Sequence, residues 1–583
     1  MRYLTLAFTV LTAVAQPPAQ DARNTVIPNT DTYFTMPVYK TRAEWEVRAR
    51  HLRKQILSAA GLIPLPDRNP LNPQIFGRIE NKDYSIEKVA LETLPGYYLG
   101  GNLYRPLGRS GKLPAVASPH GHWNYGRLEH TPSGSIPARC INLARQCYVV
   151  FCYDMVGYND TVQTPHVFGG AREQLWSLGP LGLQLWNSMR VVDFLESLPE
   201  VDAGRIAATG ASGGGTQTFL LAAVDERVKY AAPVNMISSI MQGGSPCENA
   251  PGLRVGTFNV EIAALIAPRP LLMVSATGDW TRYTPAQEFP AVQRIYALHE
   301  RADNVETVQV DAPHNYNQAS REAVYRFFGK HILGERDPRV FAEKSIRVEK
   351  LQDMLVWHGR TMPAKALTYE QLLAQWVAAA KRQTDATADK AALRERLAYA
   401  LGAETPVPVD SAADGERIVL GRPGKGDRVP GVWLAGSSAG AALVVHPDGA
   451  EAARNTAEVK RLTEARRTVL LIDAFQTGSA VAPRDRSHRH FLTFNLTDDQ
   501  NRVQDILTAI AFLRSKGPGE IRLVGLGRAA VWCLFAAAIS EIPVKFEAGL
   551  GGFAGEDSDY IDRFFVPGIQ RAGGLVAARR LVP

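Results

Sequence analysis

Three residues of this sequence have the types and the chain order that hydrolysis through a serine nucleophile requires. Ser212 lies in "GASGG", residues 210–214, which fits the pattern G-x-S-x-G. That pattern is typical of a sharp strand-to-helix turn that holds a serine hydroxyl above a sheet. A serine hydroxyl is a weak nucleophile near neutral pH, so it needs a histidine base and an acid that orients the base. We predict that Ser212, Asp279 and His314 fill these roles in that order.

Two other interpretations of the glycine-rich stretch are less well supported. A phosphate-binding loop of the Walker type requires a Gly-Lys pair, and this stretch has no lysine. A second copy of the pattern, "GSSAG" at residues 436–440, lies between two apolar strands and has no helix after it. We therefore predict that Ser438 is structural. Ser212, between "RIAAT" and "TFLLAAV", has a strand before it and a helix after it, as the motif requires.

The acid and the base are predicted from where their strands end. Asp279 ends the apolar segment "PRPLLMVSATGDW", and His314 follows the strand in "VETVQVDAPHNY". Asp279 could instead cap a helix near Pro285, and Asp311 is a rival acid close to the histidine. We favour Asp279 because Asp311 precedes His314 by only three residues, which places its carboxylate poorly for facing the imidazole.

The negative charge of the transition state needs hydrogen-bond donors. We predict the backbone N–H of Gly213 as one donor, and that of His122 in "SPHGHWNYG" as the other, with Gly121 as its alternative. Plain turn chemistry would also explain His120 and His122.

Three aromatic residues flank these positions. Trp123, Trp280 and Tyr316 are candidates for stacking on a sugar ring, and core packing remains open for each of them.

The elements around these residues predict an α/β protein. "TRAEWEVRARHLRKQILSAAGL", residues 41–62, has helical spacing, and "YSIEKVALETL" and "YYLGGNLYRP" predict antiparallel strands. From Leu113 onwards, apolar strands alternate with helical segments. This alternation indicates a mainly parallel sheet with helices on both faces.

Composition narrows the classes of function. The 583 residues carry a formal net charge of +7, with the basic residues scattered, so we expect no nucleic-acid partner. Residues 1–15 resemble a signal peptide, which predicts a secreted or periplasmic protein without a membrane span. The five cysteines lack the paired spacing of a zinc site, so no metal is expected.

Several motifs together resemble the acetyl xylan esterase-like branch of the α/β-hydrolases, which is close to the dienelactone hydrolases. They are "SPHGHW", "CYDMVGY", "RIAATGASGGGTQTFL", "PRPLLMVSATGDW" and "DAPHNYN". The resemblance implies an α/β-hydrolase fold, an acyl-enzyme route without a cofactor, Ser212, Asp279 and His314 as the triad, and a structural Asp154. We expect a serine esterase acting on small-molecule or polysaccharide esters of the acetyl xylan type. A prolyl-oligopeptidase-type peptidase and a non-catalytic binding protein are the alternatives.

The second half of the chain resembles the first. "TVLLIDAFQTG" matches "YVVFCYDMVGY", and Ser212 aligns with Gly527. We predict a signal peptide (1–15), an N-terminal helical extension (16–75), a catalytic domain (76–340), a helical connector (341–410) and a degenerate, truncated α/β-hydrolase-like domain (411–583). The last domain is predicted to be non-catalytic and to dock on the catalytic domain of the same chain.

Overall fold

The computed structural model describes residues 16–438, 440–517 and 519–582, so the predicted signal peptide lies outside the described residues. These residues form two compact units. The first unit contains residues 28–386 and 488–495, and the second contains residues 16–27, 387–487 and 496–582. Within the described ranges, no helix is both long enough and apolar enough to cross a membrane.

A nine-stranded sheet forms the centre of the first unit, in the order β1-β2-β3-β7-β4-β8-β9-β10-β11. The first three strands pair antiparallel, and β4 and β7 to β11 run parallel to one another. The predicted antiparallel segments are confirmed as β2 and β3. The strands of this unit, including the small hairpin β5–β6, are β1 Gln74–Glu80, β2 Tyr84–Leu94, β3 Tyr97–Pro106, β4 Leu113–Pro119, β5 His130–Thr131, β6 Gly134–Ser135, β7 Val149–Tyr153, β8 Val201–Ala211, β9 Val228–Val234, β10 Leu271–Gly278 and β11 Val305–Pro313.

Helices connect the parallel strands. The predicted helix at residues 41–62 is confirmed as α2, which begins after Thr41, whose hydroxyl caps the Glu44 N–H at 3.2 Å. In chain order the helices are α1 Ala22–Thr25, α2 Arg42–Ala59, α3 Ile136–Arg145, α4 Ala171–Leu175, α5 Pro180–Ser197, α6 Gly213–Val224, α7 Asn259–Ala264, α8 Phe289–Leu298, α9 Gln318–Phe328, α10 Leu351–Met354, α11 Tyr369–Asp385, α12 Lys390–Leu401, α13 Ala450–Arg454, α14 Ala457–Glu464, α15 Phe491–Phe494, α16 Asp498–Lys516, α17 Ala529–Ile539, α18 Asp557–Arg563 and α19 Gly574–Leu581.

The topology brings the predicted site residues to one edge of this sheet. Ser212 follows β8, Asp279 follows β10 and His314 follows β11. The loop that begins at His120 follows β4. Because these four strands are parallel, their carboxyl ends meet at the same edge, where ligands bind in open α/β sheets.

The second unit contains a seven-stranded sheet in the order β12-β13-β14-β16-β15-β17-β18. Its order and strand directions match those of β1-β2-β3-β7-β4-β8-β9, and no described strand corresponds to β10 or β11. Common origin of the two sheets remains a prediction. The strands are β12 Asp410–Asp414, β13 Arg417–Gly421, β14 Val429–Leu434, β15 Ala441–Val445, β16 Thr468–Ile472, β17 Ile521–Gly525 and β18 Lys545–Glu547.

Both copies of the serine motif can be compared in their structural settings. Ser438 lies between the strands β14 and β15, as predicted, and is exposed. Gly527, which aligns with Ser212, lies between β17 and α17 with φ 54°. Ser212 has φ 58° in the turn between β8 and α6. The second unit thus has a positive φ at the corresponding strand-to-helix turn, at a residue without a hydroxyl.

The division into units differs from the predicted boundaries in the connector, which is split after residue 386, and at two short segments. Residues 16–27 join the second unit, where Arg23 Nη1 donates to Asp505 Oδ1 at 2.6 Å. Residues 488–495 join the first unit, where the Arg254 N–H donates to the Thr493 carbonyl at 2.8 Å. Neither composition nor residue spacing predicts the unit to which these two segments belong, because each placement depends on contacts between residues that are distant in the sequence.

A buried histidine fixes the loop that follows β4. His120 is fully buried, its Nδ1 lies 2.7 Å from the Gly121 carbonyl oxygen, and its Nε2 accepts a hydrogen bond from the Met155 N–H at 3.0 Å. The proton must therefore sit on Nδ1, and the ring is neutral. Burial lowers the pKa of His120 to about 3.

We expect His120 to make the protein sensitive to acid. Its pKa is lowered from 6.5 to about 3. Between these values the unfolded state binds one more proton than the folded state, so stability falls as the pH falls through this window. The loss is about 3 kcal/mol between pH 6.5 and about pH 4. Melting temperatures measured across this range should fall less steeply for His120→Gln than for the wild type. The exposed His358→Gln is the control, and an unchanged slope for His120→Gln would contradict the assignment.

Candidate active site

The turn at Ser212 is held in an unusual backbone conformation. Ser212 has φ 58° and ψ −126°, a region that residues with side chains rarely adopt. Such a conformation costs about 1–3 kcal/mol and persists only where the surroundings impose it. Here the Ser212 N–H donates to the Val234 carbonyl at 3.1 Å, and the Ser212 carbonyl accepts from the Thr216 N–H at 2.9 Å. Ser212 is half-buried, at the start of the buried helix α6.

Two glycines of the motif are required by close backbone approach. A Cβ at Gly210 would lie 2.6 Å from the carbonyl oxygens of Gly214 and Pro119. A Cβ at Gly214 would lie 2.8 Å from the Pro119 carbonyl oxygen. Real Cβ atoms essentially never come this close to the backbone. The glycines therefore let β8, β4 and the start of α6 meet directly under Ser212.

The structure brings Asp279 and His314 together. Asp279 Oδ2 lies 2.7 Å from His314 Nδ1, and Asp279 Oδ1 accepts from the N–H and the hydroxyl of Thr281 at 2.7 and 2.5 Å. The Asp279 side chain is only 2% exposed. The rival acid, Asp311, instead accepts a hydrogen bond from the Thr277 hydroxyl at 2.6 Å. Asp279, and not Asp311, is the carboxylate placed to orient the imidazole.

The Nε2 atom of His314 is available for a further hydrogen bond. His314 packs on Trp280, with ring centroids 4.4 Å apart. Its Nε2 is buried and has no hydrogen-bond partner among the described residues. With Nδ1–H bonded to Asp279, Nε2 carries the lone pair, which is the form in which a histidine accepts a proton.

The predicted oxyanion loop lies directly against the nucleophile. A Cβ at Gly121 would lie 2.6 Å from the Ala211 carbonyl oxygen and 3.1 Å from Ser212 Cβ. A Cβ at Gly213 would lie 2.8 Å from His122 Cε1. Gly213 begins α6, so its N–H has no acceptor within the helix and lies at the positive end of the helix dipole.

The three aromatic candidates are placed differently. Trp123 and Trp280 are half-buried around the site. Tyr316 is 2% exposed, its hydroxyl lies 2.6 Å from Thr209 Oγ1, and Arg139 lies over its ring at 4.7 Å. This placement favours core packing for Tyr316, so the prediction that it contacts a sugar is not supported.

Asp154 has the structural surroundings that the resemblance implies. It is fully buried and paired with Arg127, and it accepts hydrogen bonds from Asn159 Nδ2 and the Asp160 N–H at 3.0 Å each. Burial raises the pKa of Asp154 to about 6.

One group of side chains beside the site has no counterpart in the sequence predictions. His122 Nε2 lies 3.1 Å from His166 Nε2 and 3.0 Å from Cys247 Sγ. Burial and the neighbouring imidazoles of His166 and His314 lower the pKa of His122 to about 4. Burial raises the pKa of the Cys247 thiol. His122 is 44 residues from His166 and 125 from Cys247, so no local motif could indicate the group.

Comparisons with known proteins identify relatives of this chain. The family model for acetyl xylan esterase matches residues 185–238, a range that includes the Ser212 turn. The Bacillus subtilis (strain 168) protein named "Putative hydrolase YtaP" is 26% identical over 312 residues, which cover 48% of this chain and 98% of that protein. The solved structure of Methylesterase BT1017 is 30% identical with a TM-score of 0.50, over 61% of this chain and 77% of that one.

The similarity of this chain to the methylesterase, in sequence and in fold, extends over most of the methylesterase's length. The region that matches the family model includes the motif that holds Ser212. The chain belongs to the acetyl xylan esterase-like branch of the α/β-hydrolases.

Proposed function

We propose that this protein is a serine esterase that hydrolyses esters of carbohydrates. The observation that carries the proposal is the 2.7 Å Asp279–His314 pair at the sheet edge where the strained turn presents Ser212. Acyl transfer through a serine requires an oriented imidazole, a buried carboxylate and a serine hydroxyl that is held above the sheet. Membership of an esterase-rich family supports the same reaction class.

In the proposed mechanism, Ser212 Oγ attacks the ester carbonyl carbon while His314 Nε2 takes the hydroxyl proton. Asp279 stabilises the imidazolium through the bond to Nδ1–H. The N–H groups of Gly213 and His122, or Gly121, bind the oxyanion of the tetrahedral intermediate. His314 then gives its proton to the departing alcohol, which leaves an acyl group on Ser212. Water, deprotonated by His314, cleaves that ester and restores the serine.

Two ester classes fit the family relationships. An acetyl group on a sugar hydroxyl is the first candidate, because the matched family model is that of acetyl xylan esterase. A methyl ester of a sugar carboxylate is the second, and the 30% identity to a methylesterase favours it. In both, Trp123 and Trp280 are proposed to stack on sugar rings beside Ser212.

The second unit is proposed to be a non-catalytic copy of the hydrolase fold. Gly527 occupies the turn where Ser212 lies in the first unit and has no side chain to act as a nucleophile. Docking of this copy on the catalytic part, and export directed by residues 1–15, both remain predictions from the sequence.

Ser212→Ala should lower kcat by at least about 10⁴-fold, because no other group at this turn can form the acyl-enzyme. The variant should keep the wild-type melting temperature or exceed it, since the side chain is half-buried and its hydroxyl makes no hydrogen bond among the described residues. Ser438→Ala is the matched control from the second G-x-S-x-G and should retain full activity. A fluorophosphonate probe should label the wild type and the control but not Ser212→Ala. A wild type that resists the probe would indicate a non-catalytic hydrolase fold.

Asp279→Asn should lower kcat by about 10³–10⁴-fold, because the amide cannot stabilise the imidazolium and selects the wrong tautomer of His314. Asp311→Asn should change kcat by less than about threefold, since its carboxylate accepts a hydrogen bond from the exposed Thr277 and not from His314. Steady-state hydrolysis of a small activated ester measures both. A severe loss at Asp311 with a mild one at Asp279 would exchange the two assignments.

A panel of three substrates separates the possible activities. We expect purified protein to hydrolyse acetylated xylo-oligosaccharides or methyl-esterified oligouronides, with a kcat/KM at least about 100-fold above that for a prolyl-peptide amide. Release of acetate, methanol or amine identifies the ester or amide that is cleaved. Cleavage of the amide alone would favour a prolyl-oligopeptidase-type peptidase and contradict the carbohydrate ester.

A further inference from the structure

We propose that His122, His166 and Cys247 bind one transition-metal ion of the zinc class beside the oxyanion loop. The ligand atoms of these three side chains all lie within 4.8 Å of one another. Two imidazole nitrogens and one thiolate are a ligand set that suits zinc and excludes hard ions such as magnesium and calcium.

The measured distances are close to those of a coordination sphere. His122 Nε2 lies 3.1 Å from His166 Nε2 and 3.0 Å from Cys247 Sγ. Tetrahedral zinc bonds of about 2.1 Å to nitrogen and 2.3 Å to sulfur place such ligand atoms about 3.4 to 3.6 Å apart. For an ion to bind, the atoms of these two pairs need to move apart by only a few tenths of an ångström, and the third pair, His166 Nε2 and Cys247 Sγ, lies within 4.8 Å.

The tautomer of His166 is already the one that binds metal. Its Nδ1 lies 2.7 Å from the Val156 carbonyl oxygen, which can only accept a hydrogen bond. The ring proton must be on Nδ1, so Nε2 presents its lone pair to His122 and Cys247. A backbone carbonyl that holds the far nitrogen of a histidine is the usual outer-sphere partner of a metal ligand.

Polar groups also surround the cysteine. Ser245 Oγ lies 3.4 Å from His166 Nε2 and 3.6 Å from Cys247 Sγ, so an oxygen is present where a fourth ligand or a water would bind.

The three ligands come from separate loops of the first unit. His122 follows β4, His166 lies between β7 and α4, and Cys247 lies between β9 and α7.

On binding, Cys247 releases its thiol proton to solvent while both imidazoles remain neutral, so one proton leaves for each ion bound. The ion would link the oxyanion loop to two further loops around the site. The proposal does not depend on the esterase activity.

The test is titration of chelator-treated full-length protein with Zn²⁺ in competition with a chromophoric chelator. We expect one equivalent to bind per chain. His166→Ala and Cys247→Ser should each weaken binding at least as much as loss of an outer-sphere partner does, about 10–100-fold. Cys147→Ser and His358→Ala, which change a cysteine and a histidine elsewhere, should bind as the wild type does. Wild-type binding no tighter than that of His166→Ala and Cys247→Ser would overturn the proposal.

Co²⁺ provides a second measurement that needs no variant. Bound to the wild type, it should show the thiolate-to-cobalt charge-transfer absorption of a cysteine ligand, and Zn²⁺ should displace it. A cobalt complex without that absorption would overturn the proposal, whatever the stability of the variants. Ser212→Ala should bind Zn²⁺ as the wild type does, so a failure of the metal site and a failure of the esterase assignment can be distinguished.

Discussion

The left-handed backbone of Ser212 is the constraint on which the rest of this site depends. A residue with a side chain at φ 58° is strained by about 1–3 kcal/mol, and the surrounding structure must supply that energy. Close packing around the turn holds this conformation. Glycines at positions 210 and 214 allow that packing, because β4, β8 and α6 approach within distances that any Cβ would block. In the proposed mechanism this strain is useful, because it lifts the hydroxyl off the sheet and turns the start of α6 towards the negative charge that develops on the substrate.

The same constraint explains the second unit. Gly527 adopts φ 54° between β17 and α17, almost the value at Ser212. Glycine occupies left-handed conformations without the penalty that serine has there. A copy that no longer needs a nucleophile can therefore keep the fold and lose the strain by a serine-to-glycine replacement. The replacement of the serine by glycine that we propose for this unit would therefore stabilise its fold.

The sequence predicts those parts of the site whose positions are determined by residues close together in the chain. The turn at Ser212 and the strands that end at Asp279 and His314 follow from short patterns. Chain order together with the short separation between Asp311 and His314 favours Asp279 as the partner of the histidine. Tyr316 shows where such inference fails. It lies two residues from His314, but its side chain points to Thr209 and Arg139 in the core, and strand-end position does not determine that direction.

The grouping of His122, His166 and Cys247 could not be predicted, because three loops must fold before the side chains meet. His120 shows what holds one of these loops in place. Its neutral ring joins the Gly121 carbonyl to the Met155 N–H, and so ties the end of β4 to the segment after β7. Gly121 and His122 follow immediately, so the backbone N–H groups that we propose as oxyanion donors have little freedom once this bridge forms. His166 lies further along the same segment after β7 and holds the Val156 carbonyl. The bridge that positions the proposed oxyanion donors thus also joins the two segments that carry His122 and His166, the imidazoles proposed to bind a single ion.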